Sequence, residues 1–221
     1  MSNQTSRVVA REHSGLIELG SRIIDIFSIL IAASLVTYLY DFDFINLKSW
    51  AQLIFIKILL CLIVFKEANL YRSWRGRPYS DQFSRLILSY IISSIVIFLL
   101  WSALNLKIVI NFEQFLLWIL LSGIFIFTFR AFVYTFIRQL RKKGVNQKKI
   151  VIFGAGQLGK ALLTRTLNSP ESGFLVTGFI DDKKNQSIKI KGLPVLGAIN
   201  QLPNILETKP IDEIWLALPL K

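Results

Sequence analysis

The stretch Tyr71–Arg85, YRSWRGRPYSDQFSR, sets four arginines between two long apolar runs, WAQLIFIKILLCLIVF (residues 50–65) and LILSYIISSIVIFLLWSAL (residues 86–104). Two more such runs flank these, and together they define four candidate spans: Ile23 to Tyr40, Trp50 to Phe65, Leu86 to Leu104 and Phe115 to Ile137. A helix crosses the hydrocarbon core of a bilayer with about 20 apolar residues, and about 17–25 are tolerated. The second run is the short one and carries Lys57 near its middle. Runs of this length without polar alternation point to helices rather than to a barrel, because no backbone group can be left bare in lipid.

The composition agrees. The 221-residue chain is 53% hydrophobic with mean hydropathy +0.51, above the roughly 45–50% of ordinary soluble domains. A net charge of +12 raises nucleic acid as a partner, and the position of the charges decides against it. Lysine and arginine flank the apolar runs, and the tail lacks an aromatic stacking surface for bases. Arg7, Arg11 and Arg22 precede the first run; Lys66, Arg72, Arg75, Arg77 and Arg85 follow the second; Arg138, Arg141, Lys142 and Lys143 follow the fourth. The two other loops hold only Lys48 and Lys107, beside Asp41, Asp43 and Glu113. Basic residues collect on the cytoplasmic side of short loops. An even number of spans then puts both termini of this multi-pass chain in the cytoplasm.

Within the spans, Asp25 and Arg130 lie near cytoplasmic ends and are expected to snorkel or to meet interfacial water, since a charge at the bilayer centre costs at least ~2.5–3.5 kcal/mol. Lys57 is deeper and demands a partner; a carbonyl, a lipid phosphate and another subunit are equally open. Tyr38, Tyr40, Trp50, Trp101 and Trp118 are expected as anchors at the headgroup level. Cys61 reads as a packing residue, His13 as a polar leader residue, and neither suggests a metal site. The N-terminus has no short apolar stretch with a small-residue cleavage site, so no removable signal peptide is read.

Beyond RQLRKKGVNQKK (residues 138–149) the character turns globular. Ile150 to Phe153 is a β-branched and aromatic run followed by Gly154, Gly156 and Gly159 and a helix-forming QLGKALLTRTL. Strand, tight turn and helix in this order suit a phosphate: Gly154 allows the turn, Gly156 lets the backbone approach, Gly159 lets helix and sheet pack. A second strand, FLVTGFI, ends at Asp181, about where a ribose-binding acid falls, some 20 residues on. Such turns also serve packing alone, so nucleotide binding and pure structure stand level. Asp181 and Asp182 read as a solvated turn or a ribose contact before a metal or proton-transfer pair. KGLPVLG reads as a turn segment, residues 198–207 as a short helix and DEIWLALPL as a last strand, giving three or four strands in all. No H-E-x-x-H, G-x-S-x-G or Tyr-x-x-x-Lys pattern accompanies them.

LYRSWRGRP (residues 70–78), VIFGAGQLGKAL with GFIDD, and DEIWLALPL together resemble the polyprenyl glycosylphosphotransferases, over nearly the whole chain. These membrane enzymes move a sugar 1-phosphate from a nucleotide sugar to undecaprenyl phosphate and so begin capsule, exopolysaccharide or O-antigen (lipopolysaccharide) assembly. The resemblance implies the N-terminal half of such a transferase: a leader (1–22), a four-helix transmembrane domain (23–137), a basic linker (138–149) and a small Rossmann-like parallel-sheet α/β domain (150–221). In the family's larger members a catalytic domain follows this module, so no catalytic residue is carried over and the chain alone is expected to be inactive. The implied site residues are Gly154, Gly156, Gly159 and Asp181 for a nucleotide or nucleotide sugar, and Arg72, Arg75 and Arg77 for a lipid phosphate or an anionic membrane surface. Implied partners are an anionic bilayer, polyprenyl phosphate, and a separate catalytic subunit or a second copy. Two alternatives remain: the N-terminal part of a membrane-bound nucleotide-sugar 4,6-dehydratase, and a non-enzymatic scaffold that senses a nucleotide.

Overall fold

The computed structural model describes residues 3–40, 44–72, 75, 79–104, 110–183 and 188–218. Asp41, Asp43, Arg77 and Lys107, which enter the charge pattern of the loops, lie outside them. The chain divides into two units, His13–Tyr134 and Thr135–Lys221 with Met1–Glu12.

Four long helices supply the first unit: α1 (Asn3–Tyr40), α2 (Phe44–Glu67), α3 (Tyr79–Ala103) and α4 (Phe112–Lys142). Each contains a stretch long and apolar enough to cross a membrane, namely Glu18–Tyr40, Lys48–Glu67, Tyr79–Ala103 and Phe112–Lys142. About a third or less of each is buried within the protein. Phe27, Phe55, Leu88 and Phe132 instead point outward, so the helices are apolar on their outer as well as their inner faces. The run that looked short in sequence is complete here, because α2 extends through Phe44 and Glu67 at its two ends.

The interior is built from Ile29, Val36, Leu53, Phe65, Ile97, Ile126 and three tryptophans. Trp50 and Trp118 meet edge to face with ring centroids 4.7 Å apart. Their indole N–H groups donate inward, Trp50 Nε1 to Thr37 Oγ1 at 3.0 Å and Trp118 Nε1 to the Ile29 carbonyl at 3.4 Å. Trp101 Nε1 reaches the Ile110 carbonyl at 3.2 Å. The expectation of headgroup anchors therefore fails for these three, which are buried core residues. Tyr38 and Tyr40 are exposed.

The charges also correct the sequence reading. Asp25 and Arg130 do not snorkel; they are buried and bind each other. Arg130 Nε donates to Asp25 Oδ1 at 2.8 Å and Nη2 to Oδ2 at 2.5 Å, the two-pronged geometry in which guanidinium and carboxylate bind most strongly. After α2, Asn69 takes a left-handed conformation (φ 56°) and the Leu70 N–H returns to the Phe65 carbonyl at 2.9 Å. This reversal drives Leu70 and Tyr71 into the interior. There the Tyr71 hydroxyl donates to Asp25 Oδ2 at 2.9 Å, and the Leu70 carbonyl accepts from Arg130 Nη1 at 3.3 Å. One ion pair thus ties α1, α4 and the root of the basic loop together.

Lys57 finds its partners on α3. Its ammonium donates to Ser93 Oγ at 3.1 Å and Ser94 Oγ at 2.9 Å, and lies 4.5 Å from the centre of the Tyr90 ring. The Tyr90 hydroxyl continues the polar chain to Ser122 Oγ at 2.6 Å on α4. Hydroxyls and a ring face solvate the cation, in place of the carbonyl, lipid phosphate or subunit considered from sequence.

The second unit carries a five-stranded sheet. Its strands are β1 (Lys148–Phe153), β2 (Phe174–Ile180), β3 (Lys189–Ile190), β4 (Leu193–Gly197) and β5 (Glu213–Leu216), in the order β3-β4-β2-β1-β5. β4, β2, β1 and β5 are parallel, and only β3 pairs antiparallel, with β4. Helix α5 (Gln157–Leu167) covers one face over Ile150, Ile152, Leu163 and Phe179; α6 (Leu202–Thr208) covers the other over Val151, Ile180 and Ile205. The segment read as a turn, KGLPVLG, is mostly strand. Lys191 and Gly192, both at positive φ (49° and 85°), make a two-residue hairpin that adds an antiparallel edge, since paired positive-φ residues match the twist of the flanking strands.

Removing one member of a buried ion pair strands the other, at about 3–5 kcal/mol. Arg130→Met is therefore expected to destabilise the detergent-solubilised chain by that order, and Asp25→Leu with Arg130→Met to recover most of the loss. Tyr71→Phe is expected to cost about 1.5–3 kcal/mol, the range for a hydrogen bond to a charged group. Denaturation monitored by circular dichroism measures all three.

Candidate functional site

The site forms where β1 ends. Strand order makes that point special: the chain leaves β1 for β2 and β4 on one side and returns as β5 on the other. In open parallel sheets a crevice opens at such a reversal, outside the carboxyl ends of the two strands. Here those ends are Phe153 and Leu216, joined by Ala217 N–H donating to the Phe153 carbonyl at 2.8 Å.

Gly154 turns the chain off β1 at φ 104°, its N–H donating to the Ile180 carbonyl at 2.8 Å. A Cβ at Gly154 would sit 2.7 Å from the Ala217 carbonyl oxygen, and one at Gly159 would collide with the Gly154 carbonyl oxygen. Both glycines are thus demanded by packing. Gly156 differs: a Cβ there would meet nothing within 4 Å. It is the N-cap residue of α5 and is extended, with no side chain capping the helix start. The first turn of α5 therefore presents backbone N–H groups beside open space, the arrangement that attracts a phosphate to a helix start.

Asp181 follows β2 and faces this turn. Its Oδ2 accepts from Ala155 N–H at 2.7 Å and its Oδ1 from Lys183 N–H at 2.9 Å. Asp182 Oδ1 accepts from Ile199 N–H at 2.8 Å, at the start of the 3-10 turn Ile199–Gln201 that leads into α6. Gly154, Gly156, Gly159 and Asp181 are therefore brought together as one constellation. The role of Asp181 in bracing the glycine turn was not legible in sequence, because 26 residues separate it from Ala155. Among the described residues no group of three or more His, Cys, Asp or Glu side chains is placed to hold a metal ion.

The arginines belong to the helical unit. Arg72 is exposed directly after the buried Tyr71, and Arg75 is half-buried in a turn. Arg77 lies outside the described residues. Arg22 on α1, which the sequence does not mark out for this site, lies with its guanidinium 5.2 Å from the Tyr71 ring centre and is paired with Glu18 at 2.5 Å.

Residues 66–221 match the family described as a CoA-binding domain. The chain belongs to that family. It is also related to sugar-phosphate transferases. A UDP-glucose:undecaprenyl-phosphate glucose-1-phosphate transferase of Xanthomonas campestris pv. campestris is 22% identical over 214 residues, covering 95% of this chain and 44% of the relative. A protein of the same name from Klebsiella pneumoniae is 23% identical over 225 residues, covering all of this chain and 46% of the relative. The probable polysaccharide biosynthesis protein EpsC of Bacillus subtilis is 30% identical over 81 residues, 36% of this chain and 14% of the relative. The chain thus spans less than half the length of the curated transferases it matches. Four helices among its described residues are long and apolar enough to cross a membrane, the length and composition expected of a membrane protein.

The glycines separate by experiment. Gly159→Ala is expected to destabilise the chain by about 1–3 kcal/mol, the usual cost of overpacking. Gly156→Ala, which meets no neighbour but replaces a favoured N-cap residue by a poor one, is expected to cost only about 0.5–1 kcal/mol. Thermal unfolding of the full chain in detergent checks both.

Proposed function

We propose that these residues form the membrane-anchoring and regulatory part of an undecaprenyl-phosphate sugar-1-phosphate transferase that begins bacterial capsule, exopolysaccharide or O-antigen synthesis. The observation that carries the reading is one of extent. Both transferase relatives match across 95% or more of the chain, through the helical unit and the glycine-turn unit alike. A likeness confined to the glycine turn would say only that the sheet is common. The narrower match to a polysaccharide biosynthesis protein points to the same area of metabolism.

In this reading the four helices span the inner membrane with both termini in the cytoplasm, and Gly154, Gly156, Gly159 and Asp181 bind a nucleotide or nucleotide sugar. Three features of the turn support binding: its place at the strand-order reversal, the open direction at Gly156 and the uncapped start of α5. Arg72, Arg75 and Arg77 face the anionic headgroups, each contributing about 1 kcal/mol near such a surface, and polyprenyl phosphate is the lipid substrate of the assembled enzyme. A separate catalytic polypeptide or a second copy is the protein partner.

Cysteine labelling tests the arrangement, since the single native thiol, Cys61, is buried. A cysteine at Arg75→Cys is expected to react with an impermeant maleimide only after the inner membrane is opened, in a chain that carbonate washing leaves in the membrane fraction. Labelling in intact cells, or release by carbonate, contradicts the proposal.

A further inference from the structure

The two edges of the sheet differ. One ends in β3, which is two residues long, antiparallel to its neighbour and carries Lys189, with Lys191 in the turn beside it. Short strands and lysines are how a sheet keeps foreign strands off its edge. The other edge is β5, which among the described residues pairs with β1 alone and whose sequence, EIWL, holds no lysine or proline. Its outer side offers a row of backbone N–H and C=O groups to a further strand.

β5 is also uncovered on one face. Trp215 and Ala217 pack into the core under α5, with the Trp215 and Phe174 ring centroids 4.7 Å apart. Ile214 and Leu216 stand in register with Val151 and Phe153, on the side that α6 occupies. α6 does not cover them: Ile214, Leu216 and Leu218 are exposed, Leu216 to 72%. Parallel sheets are covered on both faces, so the missing piece has a definite form, a strand alongside β5 and a helix alongside α6.

A second copy of the chain does not supply that piece. Two copies paired edge to edge would leave the α6-side face of β5 open still, and each carries a net charge of +12, which repels the other. Resting on the transferase reading, we propose that β5 is the docking edge for the polypeptide that carries the transfer chemistry, which adds a parallel strand to β5 and seats an apolar helix face on Ile214, Leu216 and Leu218. More than half the length of the curated transferases lies outside their match to this chain, ample for such a segment.

The test uses protein purified in detergent from its own membranes as wild type, Leu216→Lys and Leu167→Lys, the last an exposed leucine at the far end of α5. Release of uridine monophosphate from UDP-glucose or UDP-galactose in the presence of undecaprenyl phosphate reads the assembled enzyme, and hydrogen–deuterium exchange reads the edge. Leu216→Lys is expected to lose at least about tenfold in release, because it sets a charge against an apolar partner, while Leu167→Lys keeps the wild-type rate. Residues 213–218 are expected to exchange slowly in the wild type and fast in Leu216→Lys. Thermal unfolding of the chain expressed alone is expected to be the same for all three, which separates a lost contact from a lost fold. Full activity of Leu216→Lys, or fast exchange at 213–218 in an active wild type, overturns this inference and leaves the transferase reading standing. Disulfide cross-linking of Leu216→Cys into homodimers does the same, by putting a second copy on the edge. A wild-type preparation that transfers neither sugar phosphate ends the transferase reading and this inference with it.

Discussion

Hydrocarbon offers no hydrogen bonds, so a polar group inside a membrane bundle must find its partner within the protein. The helical unit is organised around that constraint. Asp25 on α1 and Arg130 on α4 satisfy one another and join the first and last helices of the unit. The loop after α2 is drawn into the same knot through Tyr71 and the Leu70 carbonyl. The basic residues that follow are thereby presented from a fixed root, and a chain reversal becomes part of the interior. Lys57 obeys the same rule with milder partners, two serine hydroxyls and a tyrosine face.

The glycine-turn unit obeys a different constraint, that of close approach. Gly154 and Gly159 are places where backbone meets backbone with no room for a side chain. Gly156, between them in sequence, borders open space instead. Two glycines build the turn and the third leaves it accessible, so a structural device and a ligand-facing one coexist within six residues. Asp181 belongs to both, bracing the turn through the Ala155 N–H while standing at its rim. The transferase relatives match through both units, which is why the two constraints are read as parts of one function.

Much of this was legible in sequence, for physical reasons. Uninterrupted runs of about 20 apolar residues suit a membrane-spanning helix and little else, and strand, glycine turn and helix follow one another locally. What was not legible required knowledge of distant contacts. Asp25 and Arg130 are 105 residues apart, and each alone looked like a residue reaching for water. Trp50, Trp101 and Trp118 sit near span ends, where lipid headgroups and a packed interior both suit an indole; only the Thr37, Ile110 and Ile29 acceptors decide. Ser93 and Ser94 in the middle of an apolar run were the available clue to the partner of Lys57. In KGLPVLG, Pro194 and the two glycines, Gly192 and Gly197, masked a strand whose pairing is set by β2 and β3.

A membrane-held bundle that carries a glycine turn open to a nucleotide makes a prediction for both units at once. Hydrogen–deuterium exchange of the full chain in lipid nanodiscs, with and without UDP-glucose, tests it most directly. Slow exchange is predicted throughout the four spans in both states, with ligand-dependent protection confined to residues 154–160 and 181–183. Protection appearing elsewhere, or none at all at saturating ligand, contradicts it.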